Sequence, residues 1–181
     1  MIASYEVRVV DAVKDEQGKI SSTRISEAIM NGKIEDANRM LGYEYQIDGT
    51  VIHGRHIGSG MGFPTANVGY SKEYILPKKG VYVCYAKVGS EKYRAMANIG
   101  HNPTVNYTDK MSLEAHLIDF KGDIYNRMIT IYFIHYLRPE MKFRNSDNLV
   151  MQLDQDLREV KKILNSYEQS ISETDGGSSS K

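Results

Sequence analysis

The chain reads as a mainly β protein, an antiparallel barrel or sandwich with one helix laid across it, and three features predict this. Between Tyr45 and Tyr136 apolar residues fall in short runs of strand length and composition. Turn residues separate those runs at Gly89-Ser90, Asn102-Pro103 and Lys121-Gly122-Asp123, and short strands with turns at such spacing build barrels or sandwiches. Beyond them Leu149, Leu153, Leu157, Val160 and Leu164 recur at helical spacing behind Ser146, a residue suited to capping.

Taken in order, Tyr5 to Val13 predicts a short strand, and Gly18 marks a turn. Ser21-Ser22-Thr23 can cap a helix whose apolar stripe is Ile25, Ala28 and Ile29, with Gly32 at its stop. A second short helix carries Ile34, Ala37 and Leu41 on one face and ends at Gly42. Two helices this small must pack on something larger. In the strand region Val81, Val83 and Tyr85 alternate with Tyr82, Cys84 and Ala86, and both sets are largely apolar. Leu113 to Phe120 and Met128 to Leu137 behave alike. Strands apolar on both faces suit a closed sheet with one face inside and the other covered, and the C-terminal helix is the available cover. The apolar pattern stops near Ser166, so the polar stretch from Ser170 to Lys181 is expected to be disordered.

With 181 residues and 41% hydrophobic content, the chain can form one domain with a proper core and an appendage. A formal net charge of +0 gives no electrostatic case for nucleic acid or an anionic membrane. No apolar run approaches a membrane span and the first residues do not make a signal peptide. The single cysteine, Cys84, sits in an apolar run and reads as a buried structural thiol. A cytoplasmic protein is the expectation.

One stretch resists this grammar. From Gly54 to Asn67, four glycines (Gly54, Gly58, Gly60, Gly62) precede Pro64, Thr65 and Asn67. Glycines let backbone N–H groups approach a ligand closely, and successive inward N–H groups form an anion-binding nest. The oxygens of Thr65 and Asn67 suit a hard cation such as Mg²⁺. The stretch therefore reads either as a nucleotide-phosphate loop with a metal rest, or as a flexible surface turn. Its spacing matches neither the common Lys-containing phosphate loop nor the dinucleotide fingerprint. A second oddity is Glu114, mid-strand between Leu113 and Ala115, where a carboxylate costs desolvation unless paired or used. It reads as a working acid–base group, an outward-facing residue, or a simple pair with His116. His53 and His56 lack a visible third ligand, so a zinc site is not expected.

Gly62-Phe63-Pro64-Thr65-Ala66-Asn67 resembles the signature of the riboflavin kinase family. The likeness continues in order through Gly80-Val81-Tyr82, Asn98-Ile99-Gly100, Pro103-Thr104, Leu113-Glu114-Ala115-His116, Asp119-Phe120, Asp123-Ile124-Tyr125, Leu137-Arg138-Pro139-Glu140 and Phe143. The resemblance implies a closed, six-stranded antiparallel Greek-key barrel. It implies transfer of the ATP γ-phosphate to the ribityl 5′-hydroxyl of riboflavin, giving FMN and ADP, with Mg²⁺. Glu114 would be the catalytic base. Gly54, Gly58, Gly60, Gly62, Pro64, Thr65, Asn98 and Tyr125 would meet the nucleotide, Thr65 and Asn67 the metal, and Arg138, Glu140 and Phe143 the flavin. The chain departs from the family pattern at Ile57 and Ser59, where basic residues are usual, and at Asn126, where glycine is usual. Those departures motivate an alternative, a flavin-binding regulatory protein that lost turnover.

Ile20-Ser21-Ser22-Thr23-Arg24-Ile25 resembles the last motif of the adenylyltransferase (FAD synthetase) module of bacterial bifunctional enzymes. This implies a division into 1–44, a remnant of that module with a helical linker, 45–167, the kinase barrel with its helix, and 168–181, a disordered tail. No adenylyl transfer is expected, and Arg24 reads as a solvated residue beside a helix cap. A monomer is expected.

Overall fold

A computed structural model describes residues 12–53, 63–101 and 111–176. Its elements run β1 (Lys14–Asp15), β2 (Gly18–Lys19), α1 (Ser22–Met30), α2 (Ile34–Leu41), β3 (Gln46–Ile52), β4 (Ala66–Tyr70), β5 (Gly80–Val88), β6 (Glu91–His101), β7 (Met111–Leu117), β8 (Met128–Arg138) and α3 (Ser146–Gly176). Strands β3 to β8 close into a six-stranded barrel in the order β3-β4-β7-β6-β5-β8, with every pairing antiparallel. β5, β6 and β7 pair in sequence and β8 returns beside β5, which is a Greek key.

The double apolar face of the strands has the expected cause. Tyr82, Cys84, Ala97, Ile99, Leu113, Ala115, Ile131 and Phe133 fill the interior. Val81, Val83, Tyr85, Met96, Ile118 and Ile134 point outward beneath Val160 and Leu164 of α3. Cys84 is fully buried, and burial pushes its thiol pKa well up. No described helix is long and apolar enough to cross a membrane.

The ends of the chain differ from expectation. Residues 5–11 of the expected first strand lie outside the described residues, and Ala12-Val13 is irregular. The expected tail at 168–181 is helical as far as Gly176. Polar contacts carry α3 past its apolar stripe: Glu168 accepts from Tyr85 (2.6 Å) and from Arg94 Nε (3.1 Å), and Tyr167 donates to Glu44 (2.9 Å). Arg24 is partly exposed but is not a free, solvated cation. Ser21 caps α1 as expected, accepting from the Arg24 N–H at 3.3 Å. The Arg24 guanidinium binds Asp15 (3.1 and 2.8 Å) and the carbonyls of Gly18 and Lys19, tying the β1–β2 hairpin to α1.

Position 44 is not a packing boundary either. Ile34 of α2 is fully buried in the barrel's interior cluster. Asn38 donates to the Phe133 carbonyl of β8 (2.8 Å) and accepts from the Tyr45 N–H (2.7 Å). The short helices close one end of the barrel.

Candidate active site

Strand register assembles the polar residues. Glu114 of β7 lies opposite Asn67 of β4 on one side and Asn98 of β6 on the other. Residues directly opposite in antiparallel strands hold their Cβ atoms about 4.5–5.5 Å apart. Leu113 and Ala115 point inward, so Glu114 and its two amide neighbours form a row on the outer face.

Glu114 is half-buried, and desolvation is the main cause of a carboxyl pKa above the ordinary value. A hydrogen bond with Thr65 works in the opposite direction, and the negative charge of Glu140 adds to the rise. The result is a carboxylate that holds a proton more tightly than a free glutamate would. It is not paired with His116, whose Nδ1–H donates to the Pro64 carbonyl (2.8 Å) and whose ring packs on Phe63 (centroids 5.5 Å apart). That bond anchors the residues leading into β4, and so places Thr65 beside Glu114.

Two cavities adjoin along Pro64, next to Thr65, and neither is lined by Glu114 itself. One, of about 330 Å³, is lined by Thr65, Ala66 and Ala115 and by the turn carrying Phe120, Asp123 and Tyr125. Tyr125 stacks on His53, with centroids 4.2 Å apart and planes 18° apart. Asn126, standing where the family pattern has glycine, adopts φ 58°, a left-handed conformation that asparagine tolerates better than most residues. The other cavity, about 530 Å³, lies between His116 and Ile118 of the β7 region and Val150 and Leu157 of α3. Pro64, Leu117 and Phe120 line both.

Of the residues singled out by sequence, Asn67, Glu114 and Asn98 share a row with Thr65 bonded to Glu114, and Pro64, Thr65 and Tyr125 line the cavity of about 330 Å³. Gly54, Gly58, Gly60 and Gly62, and with them the phosphate loop, lie outside the described residues. Arg138 is a different case: its guanidinium is bound to Asp156 of α3 and to the Pro139 carbonyl. Glu140 lies over Gly100, and Phe143 lines a third cavity with Met141 and Met151. Gly100 stood in the Asn98-Ile99-Gly100 run without a stated role, and Asp156 was not singled out from the sequence. Asp156 had a signal, since it falls on the helical stripe between Leu153 and Val160 where a charge should not sit unpaired.

Among the described residues no group of three or more His, Cys, Asp and Glu could hold a metal ion. The residues expected to meet a metal, Thr65 and Asn67, carry a hydroxyl and an amide oxygen beside the Glu114 carboxylate. That set fits a hard cation which takes its remaining ligands from phosphate and water.

The class of protein is set by a closed Greek-key barrel with a carboxylate, a hydroxyl and two amides clustered on its outer face. The chain belongs to the riboflavin kinase family, whose profile (Flavokinase: Riboflavin kinase) matches residues 41–164. It is 40% identical over 157 residues to the bifunctional riboflavin kinase/FMN adenylyltransferase of Listeria monocytogenes, covering 87% of this chain and 50% of the relative. The chain thus spans about half the length of the curated relatives it matches. Among solved structures, a Streptococcus pneumoniae protein described as a macrolide-efflux protein is 38% identical with a TM-score of 0.79, covering 84% of this chain and 50% of that one. The riboflavin kinase of Trypanosoma brucei shares the fold at 24% identity and a TM-score of 0.55, covering 75% and 91%.

Proposed function

We propose that this chain transfers the γ-phosphate of ATP to the 5′-hydroxyl of riboflavin, releasing FMN and ADP. The observation that carries the reading is the register that sets Glu114 between Asn67 and Asn98, with Thr65 hydrogen-bonded to it. The nucleotide takes the cavity at Thr65 and Tyr125. The flat flavin ring takes the groove between β7 and α3, which is apolar along Phe63, Ile118, Val150 and Leu157. The shared wall at Pro64 then brings the ribityl hydroxyl to the terminal phosphate.

In this arrangement the hydroxyl oxygen attacks the γ-phosphorus, the bond to the ADP oxygen breaks, and the hydroxyl proton passes to Glu114. A carboxylate is a weak base for an alcohol, and its raised pKa narrows that gap. Positioning supplies most of the acceleration, as phosphoryl transfer requires. Thr65 and Asn67 would hold Mg²⁺, which when bound neutralises phosphate charge.

Adenylyl transfer is not part of the proposal, because Ile20-Ser21-Ser22-Thr23-Arg24-Ile25 is matched in this sequence without the His-x-Gly-His-type nucleotide motif of that module. A cytoplasmic monomer without nucleic-acid or membrane partners accompanies this reading. The test is chromatography of protein, ATP, Mg²⁺ and riboflavin. FMN formation that disappears in Glu114→Gln supports the kinase. Flavin binding without FMN under any nucleotide supports the regulatory alternative.

A further inference from the structure

The β4–β7 pairing runs from Asn67 opposite Glu114 to Ala66 opposite Ala115, and β4 itself begins at Ala66. One step earlier stands Thr65, and before it Pro64, which has no N–H to lend to a ladder. The backbone leading to Thr65 is gripped instead by a side chain. His116 Nδ1 lies 2.8 Å from the Pro64 carbonyl oxygen. A carbonyl oxygen only accepts, so Nδ1 carries the proton in this bond. The imidazole is 9% exposed, and its ring packs on Phe63. A polar ring this buried costs free energy unless it is bonded, and the bond it makes is to the residue next to Thr65. Leu113, Ala115 and Leu117 point into the barrel, so His116 shares the outer face of β7 with Glu114. One strand therefore carries both the carboxylate and the clamp on the residue whose hydroxyl bonds to it.

We propose that His116 is a positioning residue for the transfer step: through the Pro64 carbonyl it holds the Thr65 hydroxyl against Glu114. The inference rests on the kinase reading for the reaction that this geometry serves. His116 borders the groove assigned to the flavin, beside Phe63 and Pro64. It acts there on the rate of transfer and not on flavin affinity, because what it grips is the chain leading to Thr65.

The experiment compares His116→Phe, His116→Asn, Thr65→Val and the double variant His116→Phe with Thr65→Val. Phenylalanine keeps a flat ring against Phe63 and removes the donor. Asparagine removes the ring and keeps an N–H donor at the δ position. Three readouts are taken: kcat for FMN formation, riboflavin affinity from quenching of flavin fluorescence, and NMR signals of the Thr65 methyl and the Glu114 carboxyl carbon in the ligand-free protein. His116→Phe is expected to lower kcat about 10–10²-fold and to leave riboflavin affinity within about twofold, since a small misplacement of reacting groups costs rate before it costs binding. His116→Asn is expected to recover most of that loss. In the Thr65→Val background His116→Phe should cost less than about threefold more, because residues acting as one unit do not add. Losses that multiply in the double variant overturn the inference. An asparagine variant no better than the phenylalanine one overturns it too, by reducing His116 to packing. So does riboflavin affinity that falls as far as kcat, which would assign the ring to the ligand. The NMR signals need no turnover: both should shift in His116→Phe and return towards their original positions in His116→Asn. If they do so while the unaltered protein forms no FMN, the kinase reading falls and the clamp on Thr65 stands. Signals that stay in place overturn the clamp.

Discussion

Under the proposed function, Glu114 concentrates the chemistry at the residue scale. Glu114→Gln keeps the shape and removes the base, so kcat should fall by about 10²–10⁴-fold with an unchanged circular dichroism spectrum. The pH dependence follows from the direction of its shift. The base works only when ionised, and burial raises its pKa above the ordinary 4.5. The acid limb of the kcat/KM profile for FMN formation should therefore lie above that ordinary value. A limb at or below 4.5 would show that the carboxylate is not held in this environment. The oddity of Glu114 was legible in the chain, because a charge in an apolar strand must be explained. Its neighbours across the sheet were not, since register between β4, β6 and β7 is a long-range property.

At the scale of elements, helix α3 and helix α2 are fastened to the barrel by different physics. Leu164 of α3 is fully buried against the outer face. Leu164→Ala should cost about 2–5 kcal/mol in chemical denaturation, as truncated core leucines do. Helix α2 is held partly by an ion pair between Glu35 and His135 of β8. Hydrogen bonding to Glu35 raises the His135 pKa above 6.5, and the same bond lowers that of Glu35 below 4.5. The histidine's contribution is complete below about pH 6.5 and is lost as pH rises through its folded value. The glutamate's is complete above about 4.5 and is lost as pH falls through its own. The melting-temperature difference between the protein and His135→Gln should thus be largest between those two values and shrink on either side. The apolar stripe of α3 was readable at its 3.6-residue period. Its last turns were not, because Tyr167 and Glu168 hold them through Glu44, Tyr85 and Arg94, contacts with no local pattern.

For the molecule as a whole, the alternation of the strands with apolar residues on both faces was enough to foresee a closed sheet under a helical cover. The division near residue 44 was drawn from sequence similarity to two modules, which says nothing of where side chains pack. With Ile34 fully buried in the barrel core, the helices and the barrel should melt as one unit. Ile34→Ala is expected to lower stability by about 2–5 kcal/mol while far-ultraviolet and tyrosine signals stay coincident. Two separate transitions would instead mark the helices as an independent appendage. The closure of the main sheet carries a last consequence. Among the described residues every barrel strand has a partner on both sides, so a stranger's backbone finds no wholly free strand on which to dock. Concentrated, fully folded protein should accordingly resist templated fibre growth, and thioflavin fluorescence of such a solution should stay flat.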